Sequence, residues 1–309
     1  EKHKFDYDNV VSGLRQMMWG MFKKVVVADR LAAIADPMFN NPTHYSGIAL
    51  AIASVFFAFQ IFCDFSGYSD IAIGAARVMG FHLMTNFNKP YHSKSIAEFW
   101  KRWHISLSTW FKDYLYISLG GNRVSKQRVY FNLFFVFLVS GFWHGANWTF
   151  LLWGAINGFY LIFALLTNDV RHKMMMATGI GKVRWLSNFI NIATTFALAT
   201  LAWIFFRAKN APDAFYIVKK VFNIPSELGH VLATHKIAFL NLPALYIIRN
   251  GFLVIIALEL LYYIADKFDF KNGFAQKPAY VRWAIYYAAP LIIYWFGIFE
   301  KHEFIYFKF

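Results

Sequence analysis

Two of the ten histidines have neighbours that suit a reactive imidazole. His144 lies in Gly141-Phe-Trp-His-Gly-Ala-Asn-Trp148, and apart from tyrosine it is the only conventionally titratable side chain in the apolar stretch 129–168. An ionisable group at membrane depth is costly, so it is a functional hypothesis by default. The alternative is a neutral imidazole, hydrogen-bonded inside a helical bundle or placed at a helix end, and position alone leaves both open.

The neighbours of His144 favour chemistry at a carbonyl group. Gly141 and Gly145 leave room for a second backbone or a thin substrate to approach the imidazole. Three nearby side chains carry N–H groups that suit a site where an oxyanion develops: Trp143, Asn147 and Trp148.

The second histidine, His104, lies in a segment that mixes charged and aromatic residues. Within Ser95–Leu115, apolar residues recur every three or four positions, and Ser95 followed by Glu98 fits a capping box. This pattern predicts one amphipathic helix at the membrane surface or in a vestibule, with His104 at the edge of its apolar stripe. Neighbouring candidates for substrate contact are Lys101, Arg102, Trp103 and Ser106.

A third polar group follows an apolar run. Asp64, Ser66 and Asp70 come after the uncharged segment Tyr45–Cys63, and Gly67 is expected to break the helix there. The group is either a polar helix end at the membrane surface or the polar wall of a substrate channel. Cys63, the single cysteine, is expected to be a packed core thiol.

Other familiar chemistries lack their sequence patterns. His104 and His144 could in principle meet His92 around a metal, but no HxxxH or Cys/His cluster gives the usual ligand spacing. A phosphate-binding loop and a Gly-x-Ser-x-Gly nucleophile elbow are also missing from the sequence. We therefore expect no metal and no bound cofactor.

The composition indicates a protein that is dissolved in lipid. Of the 309 residues 58% are hydrophobic and 21% aromatic, above the apolar share of ordinary soluble domains. The formal charge of +14 would suggest nucleic acid in a soluble protein. Here the basic residues fall in short groups between apolar runs, as in loops that face the cytoplasm and anionic lipid, which argues against nucleic-acid binding.

Several segments are long and apolar enough to cross a bilayer, which takes about 20 residues. The clearest are Tyr45–Cys63 and Trp185–Phe206, and Val129–Asn168 predicts two helices joined at Ser140–Asn147. Less certain candidates are 10–34, 247–265 and 283–299. The most loop-like segments are 40–44, 87–94, 120–126, 168–182 and 223–243.

No repeat or linker divides the chain, so we expect one membrane-embedded domain over residues 1–309. The chain begins at Glu1 without methionine or a signal peptide, and we expect it to be part of a longer polypeptide.

Four motifs in order carry a family resemblance. They are Asp64-Phe-Ser-Gly-Tyr-Ser-Asp70, Glu98-Phe-Trp-Lys-Arg-Trp-His-Ile-Ser-Leu-Ser108, Phe111-Lys-Asp-Tyr-Leu-Tyr116 and Ser140-Gly-Phe-Trp-His-Gly145. Together they resemble the membrane-bound O-acyltransferase superfamily, in particular its bacterial alginate O-acetyltransferase membrane subunits. Peptidoglycan O-acetyltransferases and teichoic-acid D-alanyl transfer proteins are relatives of this branch.

The resemblance implies an all-α, multi-span bundle with interfacial or re-entrant helices around a central tunnel, in the bacterial inner membrane. A cytoplasmic acyl thioester, acetyl-coenzyme A or an acyl carrier, would meet an acceptor from the other face, such as an alginate-like exopolysaccharide. His144 matches the near-invariant histidine of the family and His104 its second active-site position. The family has further N-terminal helices, and we expect this chain to lack them.

The C-terminal sequence Phe304-Ile-Tyr-Phe-Lys-Phe309 resembles the terminal aromatic motif of the same branch. In that resemblance Tyr306 accepts the acyl group and relays it to an extracytoplasmic acetylation partner protein. An aromatic anchor at the membrane interface is the alternative.

Acyl transfer to a hydroxyl needs a base and donors for the carbonyl oxygen. Burial favours a neutral imidazole, so His144 suits the base. His104 is then expected to orient the acceptor or the thioester, and Lys101 and Arg102 to hold donor phosphates. Two other classes stay open, a transporter or channel that uses His144 for gating or proton relay, and a scaffold subunit that recruits a separate transferase.

Overall fold

The computed structural model describes residues 5–234, 241–299 and 304–305, and within these ranges the regular elements are all helices. In chain order the α-helices are α1 (Tyr7–Met21), α2 (Asp29–Asn40), α3 (Gly47–Val78), α4 (Ile96–Arg102), α5 (Ile105–Trp110), α6 (Lys126–Trp143), α7 (Trp148–Leu166), α8 (Asn168–Ala177), α9 (Arg184–Arg207), α10 (Ala211–Phe222), α11 (Ile224–Thr234), α12 (Leu245–Lys267), α13 (Phe270–Gly273) and α14 (Ala279–Phe296). Two π-helical segments, Phe22–Ala28 and Phe111–Tyr116, continue α1 and α5.

The chain forms two compact units. One contains Glu1–Met84 and Asn223–Phe309, and the other contains Thr85–Phe222. The first unit therefore holds the Asp64–Asp70 motif, and the second holds both candidate histidines.

Four helices are long and apolar enough to cross a membrane: Gly47–Val78, Trp148–Leu166, Arg184–Arg207 and Leu245–Lys267. They contain most of the two clearest predicted spans, and the predicted break between two helices near His144 is confirmed, since α6 ends at Trp143 and α7 begins at Trp148. Residues 10–34 and 283–296 are also helical, although these helices are not among the four.

The expected helix break at Gly67 is wrong, because α3 continues through it to Val78. Gly67 instead allows α1 and α3 to approach closely. A Cβ on Gly67 would lie 2.8 Å from the carbonyl oxygen of Gly20, and one on Gly13 would lie 2.6 Å from that of Gly74. These contacts explain glycines inside a helix, where they otherwise reduce stability.

The prediction of one amphipathic helix over Ser95–Leu115 is also wrong. The Ser95 hydroxyl caps α4 by accepting from the Glu98 N–H, while the Glu98 carboxylate accepts from the Lys94 N–H. However, α4 ends at Arg102 and α5 starts at Ile105. His104 between them has a φ of 44°, in the left-handed region that interrupts a right-handed helix. The apolar periodicity of the sequence runs through this break without interruption, because the break is caused by contacts with residues elsewhere in the chain.

Two segments predicted as loops contain helices. Residues 168–177 form α8, and residues 224–234 form α11. In α11 the buried Glu227 accepts a hydrogen bond from the Gly47 N–H at 2.9 Å, which satisfies a donor at the start of α3. Polar composition suggested loops, but polar residues also occur in helices that lie at a surface or bind another helix end.

In the α6–α7 hairpin the two helices are in close contact at a glycine, so replacing this glycine should lower the stability of the protein. A Cβ on Gly141 would clash with the backbone oxygen of Phe150, so α7 occupies the space that this glycine leaves. We expect Gly141→Ala to lower the free energy of unfolding by about 1–3 kcal/mol through overpacking. Thermal unfolding of the detergent-extracted protein measures this, with Gly229→Ala as control because nothing lies within 4 Å of its added Cβ. Equal stability of the two variants would contradict the packing argument.

Candidate functional site

His144 lies at the turn that ends α6, in a buried aromatic environment. Its side chain is 6% exposed and follows the last helical residue, Trp143. The ring centroids of Trp143, Trp153 and Phe206 lie 4.9, 5.1 and 5.2 Å from the imidazole centroid. The helices α6, α7 and α9 each supply one of these rings, so the histidine is held where three helices meet.

Burial controls the protonation of both His104 and His144. His104 and His144 lie in breaks between helices, outside the four candidate spans. Burial lowers the pKa of His144 to about 3, with a smaller contribution from His104, and burial lowers the pKa of His104 to about 4. Both imidazoles are therefore neutral near pH 7 and can accept a proton. A neutral imidazole agrees with the expectation from sequence, and the role of His144 as a base stays a prediction.

The break between α4 and α5 fixes the orientation of His104. The Oδ1 atom of Asn86 accepts hydrogen bonds from the backbone N–H and the hydroxyl of Ser106, and lies 3.2 Å from Nδ1 of His104. Because this oxygen is an acceptor, we assign the proton to Nδ1, which leaves Nε2 with its lone pair. The backbone carbonyl of Asn86 also accepts from the Ile105 N–H at 2.9 Å. Asn86 was not among the candidates from sequence.

Asn86 gives a second prediction. In Asn86→Leu the Ser106 and His104 donors lose their acceptor, at a cost of about 1–3 kcal/mol, so we expect acyl transfer to fall roughly tenfold to a hundredfold. Asn86→Asp keeps an acceptor oxygen at the same place and is expected to retain most of the activity. Initial rates of transfer at matched protein levels check this. Equal losses in the two variants would show that the acceptor oxygen is not what matters.

Trp143 connects the two histidines. Its ring centroid lies 6.4 Å from that of His104 and 4.9 Å from that of His144, and its side chain is 54% exposed. The structure therefore brings together His104, Ser106, Trp143 and His144 within the second unit. A partly exposed indole next to two neutral imidazoles offers a donor and two acceptors in one place.

Buried tryptophans support this group from behind. Trp103 is 1% exposed and packs on Trp203 at 4.8 Å, and Trp153 lies 5.8 Å from Trp203. The predicted substrate residue Trp103 is thus part of the core. The sequence did not reveal three other aromatic residues of this site, Trp153, Trp203 and Phe206. In an apolar helix, the sequence does not distinguish an aromatic residue that packs against the site from one that faces lipid.

The remaining candidates of this unit have other contacts. Arg102 donates to Glu98 at 2.6 Å, and Lys101 is exposed. Asn147 caps α7 by accepting from the Thr149 N–H at 3.1 Å, and Trp148 is 74% exposed. Their contacts with a substrate stay predictions.

The Asp64 motif lies in the first unit and forms a buried ionic network. Lys23 donates to Ser66 at 2.9 Å and to Asp70 at 2.5 Å. Lys24 donates to Asp29 at 2.8 Å and to Asp64 at 2.7 Å. The interpretation as a helix end at the membrane surface is wrong, since the helix continues. Lys23 and Lys24, charges inside an apolar run, were the sequence signal for this network.

Tyr306, the predicted acyl relay, lies outside the described residues. The two residues before it contact the network: the Ile305 N–H donates to Asp64 at 2.8 Å, and the Phe304 ring lies 4.7 Å from the Lys24 ammonium. An aromatic ring over an ammonium group is an attractive contact, so these two residues are bound to the network.

A groove in the first unit lies apart from the predicted site residues, and no cluster among the described residues suits a metal. An apolar groove of about 590 Å³ in the first unit is lined by residues such as Met17, Ile71 and Tyr294, and none of the predicted site residues lines it. Among the described residues, no three His, Cys, Asp or Glu side chains group as metal ligands would. The groove therefore lacks the titratable groups that acyl transfer needs, and the histidines of the second unit supply them.

Comparisons with known proteins agree with these features. The family description MBOAT, membrane-bound O-acyltransferase family, matches residues 1–206. The chain is 41% identical over 258 residues to the probable alginate O-acetylase AlgI of Pseudomonas aeruginosa, covering 83% of this chain and 45% of the relative. It is 46% identical over 205 residues to the protein of the same name from Pseudomonas syringae pv. tomato, covering 66% and 37%.

A peptidoglycan O-acetyltransferase of Helicobacter pylori is 44% identical over 214 residues, covering 69% of this chain and 39% of the relative. The chain thus spans less than half the length of each of these relatives. A match over two thirds of the chain, together with its apolar helices, identifies a multi-pass membrane protein, and the chain belongs to the membrane-bound O-acyltransferase family.

Proposed function

We propose that this chain carries the catalytic part of a membrane O-acyltransferase that moves an acetyl group from a thioester to hydroxyls of an extracytoplasmic polysaccharide. The observation that carries the proposal is the buried, neutral His144, which shares the Trp143 indole with His104. An alginate-like polymer is the first choice of acceptor because of the relatives' names, with peptidoglycan or teichoic acid as alternatives. The bacterial inner membrane is the proposed location.

In the proposed reaction His144 is the general base. It accepts the hydroxyl proton as the acceptor oxygen attacks the thioester carbonyl, and the carbonyl oxygen becomes negative. When the tetrahedral intermediate collapses, the C–S bond breaks and the proton passes from His144 to the leaving thiolate. The products are an ester and a free thiol, and the imidazole returns to its neutral form.

The other groups position and stabilise. The Trp143 N–H is our choice of donor to the developing oxyanion, since its ring contacts both histidines. His104, whose Nδ1 is held by Asn86, orients the acceptor through Nε2. Acetyl-coenzyme A or an acyl carrier serves as a substrate, with Lys101 and Arg102 near its phosphates. Tyr306 and an extracytoplasmic partner protein are the proposed route for any relay.

The experiment is transfer of radiolabelled acetyl from acetyl-coenzyme A by membranes that contain the full-length parent of this chain. Label on an ester of polysaccharide or protein, released by mild base, supports acyl transfer. Label that enters sealed vesicles but stays on the donor indicates a transporter. Transfer that appears only after a second protein is added, and that survives loss of His144, indicates a scaffold.

A further inference from the structure

The α6–α7 hairpin has a strongly basic end and an uncharged end. The α6 and α7 helices are joined by the four residues 144–147, which contain no Lys, Arg, Asp or Glu. At the opposite end, residues 120–128 precede and begin α6 and residues 167–185 follow α7. These two segments hold seven basic residues and one carboxylate, Asp169: Arg123, Lys126, Arg128, Arg171, Lys173, Lys182 and Arg184. All seven basic side chains are exposed.

The hairpin geometry places both basic segments at the same end. The close packing at Gly141 and Gly154 requires α6 and α7 to run antiparallel side by side, so the start of α6 lies near the end of α7. From sequence alone the basic groups occurred in too many loops to give an orientation. The packing brings the basic residues before α6 and those after α7 to the same end of the hairpin. We call residues 120–128 and 167–185 together the basic surface.

The helix α8 within this surface lies, in chain order, between two candidate membrane spans. It begins two residues after α7 ends and is followed within seven residues by α9, and both neighbours are long and apolar enough to span. Val170 and Met174, four residues apart on one face, are 57% and 62% exposed. The Arg171 guanidinium donates a hydrogen bond to the Ala164 carbonyl near the end of α7, at 2.7 Å. Exposed apolar and basic side chains on a short helix between spans are typical of an interfacial helix.

We propose that the basic surface faces the cytoplasmic leaflet and binds the headgroups of anionic phospholipids. Loops rich in Lys and Arg stay on the cytoplasmic side, and the negative potential of that leaflet attracts them. The opposite end of α9 and the helix α10 that follows it, residues 207–222, carry four basic residues and one carboxylate, Asp213, so this segment is less basic than the surface with seven and one. The inference concerns orientation and lipid contact, and it does not depend on the proposed acyl transfer.

Cysteine labelling tests the orientation. Cys63, the single cysteine of this chain, is fully buried, and any cysteine in the rest of the full-length protein is first replaced by serine, so that an introduced cysteine is the reactive one. We would place Gln127→Cys or Thr178→Cys on the basic surface and Pro212→Cys at the far end of α9, in the full-length protein. A membrane-impermeant maleimide should label Pro212→Cys in intact spheroplasts, and the two others only after permeabilisation. Labelling of Gln127→Cys and Thr178→Cys in intact spheroplasts would overturn the proposal.

Lipid preference tests the contact itself. The purified full-length protein would be placed in nanodiscs of phosphatidylcholine with or without phosphatidylglycerol, and retained lipid counted by native mass spectrometry. We expect Lys173→Gln/Lys182→Gln to reduce the preference for phosphatidylglycerol by roughly fivefold or more. Lys219→Gln/Lys220→Gln, which removes the same charge from α10, should leave it unchanged. The lipid contact would be refuted if both double variants preferred phosphatidylglycerol equally. It would also be refuted if neither variant preferred phosphatidylglycerol.

Discussion

The His144→Ala protein is expected to lose acyl transfer almost completely while it folds and inserts normally. A positioned base contributes about 10²- to 10⁴-fold in rate, so the activity should fall by at least about a hundredfold. The side chain is buried against three rings, and its removal also leaves a cavity. A small loss of stability is therefore expected beside a large loss of rate.

The measurement compares acetyl transfer by membranes with matched amounts of the full-length protein, after equal detergent extraction and an identical elution profile. The matched control is His172→Ala, which removes an exposed imidazole from α8. His144→Gln keeps much of the volume but cannot act as a base, so it should be as inactive as His144→Ala. If His144→Ala transfers acetyl at the wild-type rate, His144 is not the base and the transporter or scaffold interpretation gains support.

His144 illustrates what the sequence can predict. An isolated histidine in a long uncharged stretch marks both a helix break and a candidate site, and both follow from the cost of an ionisable group in an apolar environment. The same logic applied to Lys23 and Lys24 would have predicted a buried network. However, the run 10–34 also contains Arg15, Asp29 and Arg30, and this high charge is not typical of a membrane span, so the two lysines do not stand out.

Asn86 and His104 illustrate what the sequence cannot predict. The break at His104 depends on one amide oxygen that lies 18 residues earlier and accepts from Ser106. Nothing local distinguishes this asparagine from others in a loop, and the apolar period runs through the break without change. Gly67 shows the same limit, since a glycine inside a helix can end it or can let a neighbouring helix approach, and only the packing decides.

The second large effect is expected at the buried network of the first unit. In Lys24→Ala the carboxylates of Asp29 and Asp64 lose their shared ammonium, and the side chains of all three are at most 8% exposed. Removal of one partner from a buried ion pair costs about 3–5 kcal/mol, because the remaining charge is left without compensation. We expect a strongly lowered unfolding temperature and a poor yield of monodisperse protein.

Two further variants separate charge compensation from lost packing. Lys24→Met/Asp64→Leu removes one charge of each sign at similar volume. It should be more stable than Lys24→Ala, because one buried carboxylate, Asp29, loses the ammonium instead of two. Lys112→Ala breaks the exposed pair with Asp113, 3.1 Å apart, and should change stability by at most about 1 kcal/mol. Thermal unfolding in detergent compares the three. If Lys24→Ala were as stable as Lys112→Ala, the ammonium of Lys24 would not hold α1, α2 and α3 together, and the bond from Ile305 to Asp64 would lose its fixed anchor.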